Sequence, residues 1–152
     1  MFTTSETSAA IRDAVFRATA VVGLAGVALI HVLNEPATFH ESTYMAWLFV
    51  GLILGSIAAA TALATRTDTR VWTAATLLQF GAIAGYVISR TVGLPQSGGD
   101  IGNWSEPLGL ASLFVEGSVV ALGAAVLLER VPRRDPVRRR THETLTHGSG
   151  VS

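Results

Sequence analysis

Thr43–Thr65 reads TYMAWLFVGLILGSIAAATALAT, a stretch without a single Asp, Glu, Arg, Lys or His. A bilayer core of about 30 Å is crossed by roughly 20 mostly apolar residues in helical form. A helix of a soluble bundle keeps a polar face for water, whereas this one is apolar around its whole circumference. The stretch is therefore expected to span a membrane, and the segments beside it have to be read with lipid as the solvent.

Three further runs have the same character. Residues 14–33 read AVFRATAVVGLAGVALIHVL, residues 71–92 read VWTAATLLQFGAIAGYVISRTV, and residues 107–128 open on Pro107, where a missing N–H does no harm to a helix. The chain of 152 residues is thus expected to be an all-α membrane protein with four transmembrane helices in an antiparallel bundle, at about 14–33, 43–65, 71–92 and 107–128. Residues 1–13 precede this 14–128 domain and a basic tail, 129–152, follows it. A mean hydropathy of +0.46 agrees, and the 14% of residues that are charged lie almost wholly outside the apolar runs. The first run has an Arg-bearing approach like a signal peptide. It is too long for one, though, and Leu33-Asn34-Glu35-Pro36 is a poor cleavage site, so it reads as a retained helix. Absence of cysteine excludes disulfides, thiolate metal sites and thiol catalysis.

Arginine supplies every fixed cation, since there is no lysine. With four crossings, Arg12, Arg17, Arg66, Arg70 and six arginines from Arg130 to Arg140 share one side, and only Arg90 lies on the other. The positive-inside rule then makes both termini cytoplasmic, and the all-arginine, Ala/Gly/Val-rich composition points to the plasma membrane of a bacterium. Tyr44, Trp47, Trp72 and Trp104 sit where interfacial aromatic anchors are expected. Small residues at Gly51/Gly55, Gly81/Gly85 and Gly117/Ala121 are expected to let helices approach within one chain, a homo-oligomer being the alternative use.

Glu116 is the anomaly, about 14 Å into the fourth run at 1.5 Å per residue. Ionisable residues at such depth are costly and are functional candidates. Gln79 reaches a similar depth on the third run and is an expected partner, with Ser112 one turn back as the other. His31 and Glu35 are one helical turn apart, and His40 and Glu41 follow. Imidazole and carboxylate together suit a divalent metal, Zn²⁺ or Cu²⁺, which makes these four a candidate metal or cofactor site. The plainer reading pairs His31 with Glu35 or Glu116. Arg90, just before the Gly93-Leu94-Pro95 break, is expected to clamp the outer loops through Glu35, Asp100 or Glu106. After Glu129 the chain turns to RVPRRDPVRRRTHETLTHGSGVS, in which two prolines and clustered arginines cannot build a core. Arg133, Arg134, Arg138, Arg139 and Arg140 are expected on anionic lipid headgroups. Topology accounts for the basic run, and no nucleic-acid partner is expected.

The set formed by His31, Glu35-Pro36, His40-Glu41, SRTVGLP, GNWSEPLGL and a Glu in the fourth run resembles a group of small four-helix membrane proteins of actinobacteria and other bacteria. The resemblance spans roughly residues 14–128, implies the fold, singles out His31, Glu35, His40, Arg90 and Glu116, and implies no activity. On function, the sequence favours a non-enzymatic accessory or complex subunit of the membrane, with a metal or cofactor site at its outer face. The alternatives are a haem- or quinone-binding redox bundle, or an oligomeric proton- or metal-coupled transporter. A diheme bundle is excluded because only His31 lies within a run. No nucleophile–base or zinc-protease spacing is present, so an enzyme is disfavoured.

Overall fold

The computed structural model describes residues 4–95 and 98–131, without the side chains of 35–41. It is all-helical: α1 (Thr4–Glu41), α2 (Thr43–Thr65), α3 (Thr69–Thr91), a short 3-10 turn η1 (Gly98–Asp100) and α4 (Pro107–Arg130). Four helices are long and apolar enough to cross a membrane, the first over Thr4–Asn34. Helices suit that solvent because each satisfies its own backbone donors and acceptors. α1 is longer than the 14–33 read from the sequence and runs on through Pro36. A proline deletes one hydrogen bond of a helix, yet the helix can continue past it.

The helix ends follow local chemistry. Asp68 caps α3 by accepting from the Arg70 N–H at 2.9 Å. α3 stops at Gly93, whose φ of 80° is a left-handed conformation open to glycine, with its N–H bonded to the Ile88 carbonyl at 3.1 Å. The helices form a closed ring of neighbours, α1 beside α2, α2 beside α3, α3 beside α4 and α4 beside α1, with no close backbone approach across either diagonal among the described residues. Large apolar side chains face outward, among them Phe114 at 77% exposure, as a lipid-facing surface requires.

The buried apolar core lies in one half of the ring. Ala20, Leu24, Leu63, Trp72, Ala75, Val119 and Val126 form the buried core, toward the end that carries the α2–α3 turn. Trp72, expected as an interfacial anchor, is 1% exposed and belongs to this core. Its position near the helix start matched an anchor, but its side of α3 faces the other helices. Close approach in this half depends on Gly23 against Val119 and on Gly123, where an added Cβ would collide with Thr76 Oγ1. Thr76 cannot swing aside freely, because that hydroxyl donates to the Trp72 carbonyl at 2.8 Å. Gly123→Ala is accordingly expected to destabilise the fold by about 1–3 kcal/mol through overpacking. Gly117→Ala, with open space beside it, should leave stability unchanged or slightly higher. Denaturant unfolding of the two variants in mild detergent makes the comparison.

At the same end, Arg130 reaches the Thr67 carbonyl at 2.8 Å and Asp13 at 3.5 Å, while Arg12 pairs with Glu129 at 3.2 Å. These exposed contacts tie α1, α4 and the α2–α3 turn together, each adding little to stability.

Candidate functional site

The half of the bundle toward the α3–α4 connection is hollow. A cavity of about 730 Å³ is walled by all four helices and by the connection itself. Leu52, Leu78, Leu94 and Leu108 give it apolar sides. Toward the middle of the bundle it reaches His31, Ser112 and Glu116, and at the connection it reaches Arg90, Asp100 and Glu106. Between α2 and α3 it opens sideways, where exposed Trp47, Leu48 and Gly51 on α2 and exposed Leu77 and Gly81 on α3 line it. α2 and α3 also touch least of the four neighbouring pairs.

The glycines explain the opening. Gly51, Gly81 and Gly85 were expected to bring helices together, but a Cβ on any of them would meet nothing within 4 Å. Of the glycines in the three expected pairs only Gly55 makes the contact, with Leu78, and Gly117 too faces open space. Helical spacing correctly put these glycines on one face. It could not say whether another helix covers that face.

At the inner end of the cavity, His31 is 7% exposed and Glu116 is 2% exposed. The His31 ring lies edge-on to Phe49, centroids 4.9 Å apart, and its Nδ1 is 3.0 Å from the Val27 carbonyl. Glu116 Oε1 accepts from Ser112 Oγ at 2.7 Å and lies 3.7 Å from His31 Nε2. The other expected partner, Gln79, instead donates to Ser56 Oγ on α2 at 3.1 Å, leaving its own buried Oε1 unbonded. Equal depth is not enough for two side chains to meet. Each residue turns a helix by about 100°, and Gln79 comes out toward α2.

The rim is built around Arg90, 8% exposed at the last turn of α3. Its guanidinium pairs with Asp100 of η1, lies 3.9 Å from Glu106 Oε2, and stacks over the Tyr86 ring with Cζ 4.9 Å from the centroid. The Arg90 carbonyl accepts from the Gly102 N–H at 2.9 Å, so both ends of this residue hold the connection. Tyr86 is the residue missed in the sequence, although its position four before Arg90 places it on the same face of the helix. Glu106 has a second task, accepting from the Leu108 and Gly109 N–H groups at 3.0 and 2.6 Å as the cap of α4. Glu106→Ala removes the cap and one carboxylate near Arg90. A stability loss of about 0.5–2 kcal/mol is expected, read from thermal unfolding in detergent.

Of the four residues proposed to hold a metal, only His31 has a described side chain. Glu35, His40 and Glu41 lie outside the described side chains, as Arg133, Arg134, Arg138, Arg139 and Arg140 lie outside the described residues. Among the described residues no three His, Cys, Asp or Glu side chains converge as a metal site would need. In chemical terms the arrangement is an apolar chamber with a polar group at each end, open to the side.

No family model matches the chain, and no curated protein or solved structure is similar to it, so the resemblance to small actinobacterial four-helix proteins gains no support from them.

Proposed function

We propose that the chain is a non-enzymatic binding protein of a bacterial plasma membrane, with four antiparallel spans, both termini cytoplasmic, and a small lipophilic molecule as the occupant of its cavity. The observation that carries this reading is the chamber itself. At about 730 Å³ it is within the size range of small-molecule sites, and it joins apolar walls to a few convergent polar groups. Gly51, Gly81 and Gly85, where an added Cβ would meet nothing within 4 Å, all line this cavity and keep it open. The lateral gap between α2 and α3 would admit a molecule already dissolved in the bilayer. Such a protein works as an accessory subunit or as a stand-alone module, and its arginine-rich tail would rest on anionic headgroups.

The test is reconstitution with a total bacterial lipid extract, re-isolation in mild detergent and native mass spectrometry. A discrete added mass at one per chain, surviving detergent washes, is expected. A spectrum showing only the bare chain and a non-stoichiometric lipid smear would overturn the reading.

A further inference from the structure

The inner end of the cavity specifies what the occupant must carry. A backbone carbonyl only accepts, so the 3.0 Å contact between His31 Nδ1 and the Val27 oxygen places the ring proton on Nδ1. A neutral His31 therefore presents Nε2 as a bare lone pair. Facing it is Glu116 Oε1, already an acceptor for Ser112. The two atoms are 3.7 Å apart, whereas a closed imidazolium–carboxylate bond spans about 2.7–2.9 Å. No hydrogen bond therefore closes between these two atoms, on side chains more than nine-tenths buried, and among the described residues only Ser112 donates to either.

The charges around the cavity complete the specification. Among the described residues its lining holds one fixed cation, Arg90, and three carboxylates, Asp100, Glu106 and Glu116. Arg90 is committed to Asp100 and Glu106 at the rim. Among the described residues Glu116 has Ser112 and His31 beside it and no fixed cation. A cation on an apolar body would supply both what the gap lacks in hydrogen and what the carboxylate lacks in charge. Phe49 and Trp47 also line the cavity, and aromatic rings are compatible with such a group.

We infer that the cavity takes a lipophilic organic cation with N–H donors, a protonated primary or secondary amine whose nitrogen lies on the cavity side of His31 Nε2 and the Glu116 carboxylate and donates to both. This rests on the cavity being a ligand site, as proposed above. Its apolar part lies along Leu52, Leu78 and Leu108, and it enters past Gly51 and Gly81.

Three probes of one skeleton separate the requirements: 1-naphthylmethylamine, its N,N,N-trimethylammonium analogue and 1-naphthylmethanol. Equilibrium dialysis against the full chain in mild detergent, corrected with protein-free micelles, gives each affinity. The amine is expected to bind at least about tenfold more tightly than either analogue, since only it brings both charge and N–H donors. Glu116→Gln should bring the amine down to the level of the alcohol. If amine and alcohol bind equally and Gly85→Phe, which puts a ring into the cavity, removes both, the ligand site stands and the cation inference falls. If the trimethylammonium probe matches the amine, the need for N–H donors is refuted. An amine preference that persists in folded Glu116→Gln removes Glu116 from the assignment and overturns it. No saturable binding of any probe, or binding indifferent to Gly85→Phe, sinks both readings. Should Glu116→Gln fail to fold, the ratio of amine to alcohol on the unaltered chain decides.

Discussion

Phenylalanine in place of Gly85 is expected to weaken occupancy of the cavity at least about tenfold, while phenylalanine in place of Gly117 leaves it unchanged. Both glycines are half-buried in the middle of a helix, and an added Cβ at either meets nothing within 4 Å. Neither substitution therefore collides with the fold at its Cβ, and both replace a poor helix former with a better one. The difference is where the ring goes. Gly85 lines the cavity and Gly117 does not. A ring placed in an apolar chamber competes for the occupant's volume, and forcing both into it costs about 1–3 kcal/mol, of which 1.4 kcal/mol is already a factor of ten. The added mass seen by native spectrometry is the readout, with thermal unfolding as the control for folding. Equal occupancy in the two variants would place the ligand outside the cavity.

Arg90→Met is expected to lower stability by about 2–3 kcal/mol and to loosen the α3–α4 connection first. Methionine keeps much of the apolar stem but removes the charge that Asp100 and Glu106 share. Breaking the pair leaves both carboxylates without their cation, which is the main destabilising term. Asp100 and Glu106 keep 28% side-chain exposure, so water recovers part of the loss and the effect stays below that of a fully buried pair. Arg90→Lys should fall between the two, because an ammonium restores the charge but not the planar group that stacks on Tyr86 while reaching two carboxylates. Limited proteolysis within 92–106, followed against global unfolding, separates local from global loosening. Cleavage no faster than in the unaltered chain would show that the connection is held by other means.

Arg90 and Glu106 illustrate how much of the site could be read from residues alone. A lone arginine at the end of an apolar run, beside acids with no other fixed cation, has few places to go. The sequence reading named Asp100 and Glu106 among its partners, and the distances bring all three together. His31 and Glu116 were each conspicuous, but their meeting was only one of several pairings the depths allowed. Gln79 shows where such reasoning stops. Its depth matched Glu116, and its partner is Ser56 on a different helix.

The sequence by itself determined that this chain has four segments able to cross a membrane, and which polar residues lie within them. Those are properties of a line: the length of an apolar run against the thickness of a bilayer, and the distance of a residue from the run's end. Only the tertiary structure decided which faces meet. Trp72 turned into the core, and Gly51, Gly81 and Gly85 turned to empty space. The packed half and the hollow half are built from the same kinds of residue. What separates them is whether a side chain from the neighbouring helix fills the gap, and that depends on the rotation of each helix about its axis, which no run length records.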